Sequence, residues 1–247
     1  LQAAELWAES LDALDAARAR FPVDFNLALL QALSLIRLDR AAEAIEILST
    51  VQVLPSENAR ESHRLYEQAH LLAAMEAMDA GEGARAATHL ESALEWPESL
   101  GQGRPYDPEE RLVRFLQGRV EARRDNQAEA QVAFQAVVDG SPELAGASGG
   151  TGSVGSSRLD ILAIPALAAL DRTAILQAVA EALPGTSDST PTGIVSVGDA
   201  GRFASRLAGA LLEGTETQTA AEALVRDFPQ LFDDFEGTII LRALTGR

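Results

Sequence analysis

The chain has 247 residues, 47% of them apolar but only 5% aromatic, so it can bury a large core built mostly from alanine and leucine, which favours helices. Its 37 acidic residues outweigh 20 basic ones, all arginine, and the net charge of −17 argues against general binding of nucleic acid or an anionic membrane. The absence of cysteine excludes disulfides and thiolate chemistry and leaves the redox compartment undetermined; no apolar run reaches the ~18 residues needed to span a bilayer, so a soluble chain without membrane insertion is expected.

Leu1 is not a methionine and no basic-then-apolar leader follows it, so a fragment or processed form is expected. Leu1 to Arg20 reads as a helix with Leu6, Leu11 and Leu14 inward, ended by Phe21-Pro22. Asp24 is placed to cap the next helix, which carries Leu27, Leu30, Leu35 and Leu38. Asp39-Arg40 turns the chain, and Ala41 to Val51 returns with Ala44, Ile45 and Leu48 before Pro55. A third hairpin runs from about Glu57 to Asp79, turns at Ala80-Gly81-Glu82-Gly83, and returns through Ala86, Leu90 and Ala93 to Trp96-Pro97.

The clearest unit spans Asp107 to Pro142. Asp107 reads as an N-cap, Pro108 as the first helical residue and Glu110 as the third capping-box position. Leu112, Leu116 and Val120, with Phe115 alongside, form one apolar stripe; after the polar turn Arg123-Arg124-Asp125-Asn126 a second follows at Ala130, Ala133, Phe134 and Val137. Gly140, Ser141 and Pro142 stop it. The result is an antiparallel helix hairpin, with Gly118 where close approach of the two axes needs a small residue.

Gly118, Ala130, Phe134 and Pro142 together resemble the tetratricopeptide (TPR) repeat, in which small residues, one aromatic and a closing proline recur over about 34 positions. The closing prolines here, Pro22, Pro55, Pro97 and Pro142, are spaced 33, 42 and 45 apart, so only the first interval has the family's usual length. The resemblance implies an all-α fold: a right-handed α-solenoid of antiparallel hairpins with irregular loops and a C-terminal helical cap. The loop from Trp96 to Pro105, with the helix start from Tyr106 to Arg111, is further similar to helical-repeat regions of large bacterial proteins of unknown function, whose repeats follow β-sandwich modules related to sugar-processing enzymes. That likeness covers roughly residues 20 to 145.

Ala145 to Ser157 is rich in glycine and serine. Gly150, Gly152 and Gly155 have G-x-G-x-x-G spacing, but no apolar strand precedes them and there is no lysine for a phosphate-binding loop, so a linker is expected. Leu159 to Leu170 and Thr173 to Leu183 make another hairpin, whose Leu170-Asp171-Arg172 turn repeats Leu38-Asp39-Arg40. Pro184 to Gly198 reads as an irregular segment, Ile194 to Val197 included. Helices follow at about 199–212, 217–227 and 230–244, with a stripe of Phe228, Phe232, Phe235 and Ile239 expected to pack as a terminal cap. The organisation expected is TPR-like repeats over 1–144, a linker or loop over 145–158, and further hairpins with capping helices over 159–247.

His63, Glu67 and His70 fall on one helical face, a spacing compatible with metal ligation, but the second E-x-x-H step that a di-metal bundle requires is missing, so a polar face is expected and no metal or other cofactor. Acids are too abundant for any pair to stand out as a general acid and base, and no nucleophile–base arrangement is recognisable, so no catalytic residue is assigned. Six of the twenty arginines lie between Arg104 and Arg124; Arg111, Phe115, Arg119 and Arg123 share a helical face offset from the Leu112 stripe. In TPR proteins the corresponding face lines a concave groove that binds extended peptides or helices. The resemblance therefore implies a ligand-binding set of Asn26, Leu29, Leu33 and Arg37, then Leu71 and Met75, then Phe115, Arg119 and Arg123. An anionic or amphipathic peptide suits it, since guanidinium groups hold carboxylates bidentately; the alternative is that these arginines make surface pairs such as Asp107 with Arg111 and Glu110 with Arg114. The family's lysine-based carboxylate clamp cannot form. The expected function is a non-catalytic scaffold for a protein or peptide segment, possibly another domain of the same chain. The second reading is the structural C-terminal region of a larger carbohydrate-active bacterial protein, packing against its catalytic part.

Overall fold

In the computed structural model of the protein, residues 6–55, 60–141, 158–181 and 197–246 are described. Among them the fold is all-α, with twelve helices, short 3-10 turns and no strand. They belong to two compact units, Leu1–Pro108 and Glu109–Arg247. The closing Pro142, the glycine- and serine-rich 145–157, the Ile194-Val195-Ser196 run and the start of the third hairpin near Glu57 lie outside the described residues.

The first unit holds α1 (Trp7–Arg20), α2 (Phe25–Arg37), α3 (Ala41–Thr50), α4 (Arg60–Asp79) and α5 (Gly83–Ala93). Asp24 caps α2 as its sequence position predicts, accepting from the N–H groups of Asn26 at 2.9 Å and Leu27 at 3.3 Å. Leu11 and Leu14 of α1 are buried, but Leu6 is exposed because it precedes the first helical turn. A side-chain relay ties α1 to α2, with Arg18 donating to Gln31 and Gln31 to Asp15. The 20-residue α4 packs against α2, α3 and α5, and buries Leu65, Ala69, Leu72, Ala74 and Ala77. The segment after α5 is anchored to this body. Its 3-10 turn, Glu98–Leu100, accepts from the Val53 N–H at the Ser99 carbonyl (2.8 Å) and from the Ser62 hydroxyl at the Leu100 carbonyl (2.7 Å). Gly101 follows with φ +71, and a Cβ there would lie 2.7 Å from the Val53 carbonyl oxygen, so both conformation and space call for glycine.

The second unit holds α6 (Arg111–Arg123), α7 (Gln127–Asp139), a 3-10 turn over Arg158–Leu162 that runs into α8 (Ala163–Ala169), α9 (Thr173–Glu181), α10 (Val197–Leu212), α11 (Thr217–Leu224) and α12 (Phe235–Thr245). The helix expected from Pro108 begins at Arg111 instead. The N-cap is Glu110 in place of Asp107 and makes no side-chain cap bond, while the Glu109 side chain before it accepts from the Arg111 N–H at 3.2 Å. Val197 and Gly198, read as irregular, open α10. Ala130, Ala133, Phe134 and Val137 are buried as their spacing predicts, and Phe203 of α10 meets Phe228 and Phe232 edge-on at 5.8 and 5.3 Å, so the C-terminal aromatic stripe is packed. α6 and α7 belong to the same compact unit as α8 to α12.

One turn geometry recurs five times. Asp39, Gly81, Asp125, Asp171 and Gly214 all have left-handed backbones, with φ of 54, 74, 61, 54 and 85°. They close the hairpins α2–α3, α4–α5, α6–α7, α8–α9 and α10–α11. In each, the residue after the left-handed one donates its N–H five residues back: Arg40 to Leu35, Glu82 to Ala77, Asn126 to Glu121, Arg172 to Leu167 and Thr215 to Ala210, at 2.8–3.0 Å. This is the Schellman arrangement, which satisfies the last carbonyls of the first helix and reverses the chain. Glycine reaches it without strain, and aspartate is among the few residues that tolerate it. The five positions are 42, 44, 46 and 43 residues apart. Side chains keep the same register: Ala32, Ala74 and Gly118 lie seven residues before their turns, and Leu48, Leu90 and Phe134 nine residues after, all buried. In the fourth hairpin the sizes are exchanged, with Ile164 before the turn and Ala180 after.

Candidate functional site

The α2 residues of the expected binding set stand on one face because they are spaced three, four and four apart. Asn26 is exposed, Leu29, Leu33 and Arg37 are half-buried, and Leu30, expected among the apolar residues of this helix and not in the binding set, adds a 41% exposed side chain to the strip. The Arg37 guanidinium lies 5.5 Å from the centre of the Trp7 ring, which positions a cation at one end of an apolar strip.

The α4 residues are not on a surface. Leu71 is 2% and Met75 4% exposed, because the helix that carries them is enclosed on nearly every side. On α6 the face bearing Phe115, Arg119 and Arg123 is occupied by the second unit's own chain. Phe115, 2% exposed, packs against Phe134 with ring centres 6.0 Å apart. Arg119 donates to the Ala243 carbonyl in the last turn of α12, and a Cβ on Gly246 would stand 3.1 Å from Arg119 Nη2 and 3.7 Å from Arg123 Nη2. Two guanidinium groups thus face the negative end of a helix, a favourable pairing. Arg111 is likewise turned inward: it bonds Glu109 through Nε and Nη2 at 2.8 and 2.5 Å, Ser141 Oγ at 3.2 Å and the carboxylate of Asp160 at 2.5 Å. Helical spacing groups these residues correctly; what covers them comes from segments 49 and 124 residues away, which periodicity does not encode.

The polar face of α4 is an aromatic cluster. His63 stacks on Trp96 with centroids 3.3 Å apart and planes within 7°, and its Nε2 lies 3.1 Å from the Glu95 carbonyl, to which it donates. The Tyr66 hydroxyl reaches Glu95 Oε2 at 3.5 Å, and the Tyr66 ring meets His70 edge-on at 4.5 Å. Across the hairpin, His70 Nδ1 stands 3.2 Å from His89 Nδ1. Burial, and after it the neighbouring His89, pushes the His70 pKa down to about 4. Burial also lowers His63 and His89, with a hydrogen bond to Glu95 partly offsetting it at His63 and the Arg85 charge adding to it at His89. Burial and the Glu95 carboxylate raise Tyr66. The sequence grouping of His63 with His70 is thus replaced by His70 with His89; the available signal was their similar distance from Gly81, eleven residues before it and eight after.

Among the described residues no group of three or more histidine, aspartate or glutamate side chains is placed to hold a metal ion. No described helix is long and apolar enough to cross a membrane. No family model matches this chain, and no curated protein or solved structure matches it either.

Proposed function

We propose that the chain is a non-catalytic helical-repeat scaffold of the tetratricopeptide type, a right-handed α-solenoid whose α2 face takes a segment of another protein or of another domain of the same polypeptide. The observation that carries this reading is the strip of Leu29, Leu30 and Leu33 on α2, apolar yet accessible and bounded by Asn26 and Arg37. A packed helix that exposes Leu30 and leaves Leu29 and Leu33 half-buried beside it is the kind of surface that a partner covers. The five equivalent turns at 42–46-residue spacing support the repeat character, although the interval is longer than the family's usual one.

The test is affinity capture with the wild-type chain and a Leu29→Asp, Leu33→Asp variant, both checked for unchanged helicity by circular dichroism. The variant is expected to lose the captured partner. Retention of the same partner at the same level overturns the reading. Arg119→Glu with Arg123→Glu, in contrast, is expected to loosen α12 and lower stability while leaving capture intact.

A further inference from the structure

The chain has three histidines, and all three lie on the α4–α5 hairpin. His63 is committed to Glu95 and Trp96, but His70 and His89 turn their Nδ1 atoms toward each other at 3.2 Å. With both rings neutral, one Nδ1–H donates to the other Nδ1, so the two rings hold opposite tautomers around a single shared hydrogen. Two imidazole nitrogens bound at about 2.0–2.1 Å to one tetrahedral cation are about 3.3 Å apart, nearly the spacing already present.

The surroundings suit such an ion. Tyr66 abuts the buried His70 edge-on, which restricts its ring, while half-exposed His89 leaves an approach for the cation and its waters. The nearby positive charge, Arg85, is paired with Glu82 at 2.6 Å. Loading requires one ring to move its hydrogen from Nδ1 to Nε2, so neither histidine need lose a proton in the neutral range. Imidazole selects zinc- and copper-like ions over magnesium or calcium, which prefer oxygen.

We propose that His70 and His89 form a two-imidazole site for a borderline divalent cation of the zinc and copper class, clipping α4 to α5, with water completing the coordination.

The experiment is calorimetric titration of the whole chain, stripped with EDTA, using zinc sulfate with magnesium sulfate as control, alongside NMR of 15N-labelled histidine side chains. One zinc per chain is expected, with the Nδ1 resonances of His70 and His89 moving and those of His63 unmoved. His89→Ala, at an accessible position, is expected to weaken zinc binding by about tenfold or more with helicity preserved. The absence of a saturable one-to-one event in the wild type, movement of His63 in place of the pair, or undiminished affinity in His89→Ala would each overturn the site; the wild-type NMR result stands whether or not the variant folds.

Discussion

The ring of Phe134 fills the space in which a side chain on Gly118 would begin: a Cβ built there would lie 2.5 Å from Phe134 Cε1 and 2.6 Å from Cδ1. Glycine at this mid-helix site costs about 1 kcal/mol relative to alanine in helix propensity, whereas forcing a methyl against a packed ring costs about 1–3 kcal/mol. The second effect wins. Gly118→Ala is expected to destabilise the second unit by up to about 2 kcal/mol, and Phe134→Leu in the same chain to make the alanine tolerable. Urea unfolding of the two single variants and the double variant checks this; additive losses would rule out the close approach as the cause.

Asp160 and Arg111 form a largely buried ion pair, with side chains 5% and 12% exposed. Removing one partner of such a pair leaves a desolvated charge, at a cost of about 3–5 kcal/mol. Glu109 remains on the guanidinium, so Asp160→Ala is expected to cost about 2–4 kcal/mol. Glu109→Gln, at a half-exposed carboxylate, is expected to cost no more than about 1 kcal/mol. Arg111→Met with Asp160→Leu should approach wild-type stability, since an apolar pair of similar volume avoids the desolvation term. Chemical denaturation of the four proteins supplies the comparison, and a double variant as weak as Asp160→Ala would count against it.

Acid should weaken the α4–α5 hairpin through His70. Its folded pKa, about 4, lies below the ordinary 6.5, so the unfolded chain binds a proton that the folded one resists. The penalty is absent above pH 6.5, grows as pH falls toward 4, and is constant below that. It is expected to be on the order of 2 kcal/mol after allowance for solvent screening. Thermal melts from pH 7.5 to 4 in the presence of EDTA, compared with His70→Phe, measure it; equal pH slopes in the two proteins would remove His70 as the cause.

Local features of this chain were legible in its sequence wherever one helix or one turn decides them. Asp24 as a cap, the Leu-Asp-Arg turns at Asp39 and Asp171, and the need for a small residue at Gly118 all follow from short-range spacing and residue size. The α6 start was misplaced because Asp107-Pro108 offers a valid capping signal, yet the first helical residue is Arg111, whose N–H is held by the Glu109 side chain two residues before it. The binding set on α4 and α6 was misleading for a different reason. Helical periodicity states which residues share a face, but Asp160, Ala243 and Gly246, which cover the α6 face, arrive from far along the chain, and Leu71 and Met75 sit on a helix with hardly any outward side.

Because Arg119 finds its partner at Ala243, the basic face of α6 is completed only after 124 further residues have been made. At about 5–20 residues per second, that gap corresponds to roughly 6–25 s of synthesis. Until Ala243 has been made, Arg119 lacks the backbone carbonyl that receives it in the folded unit.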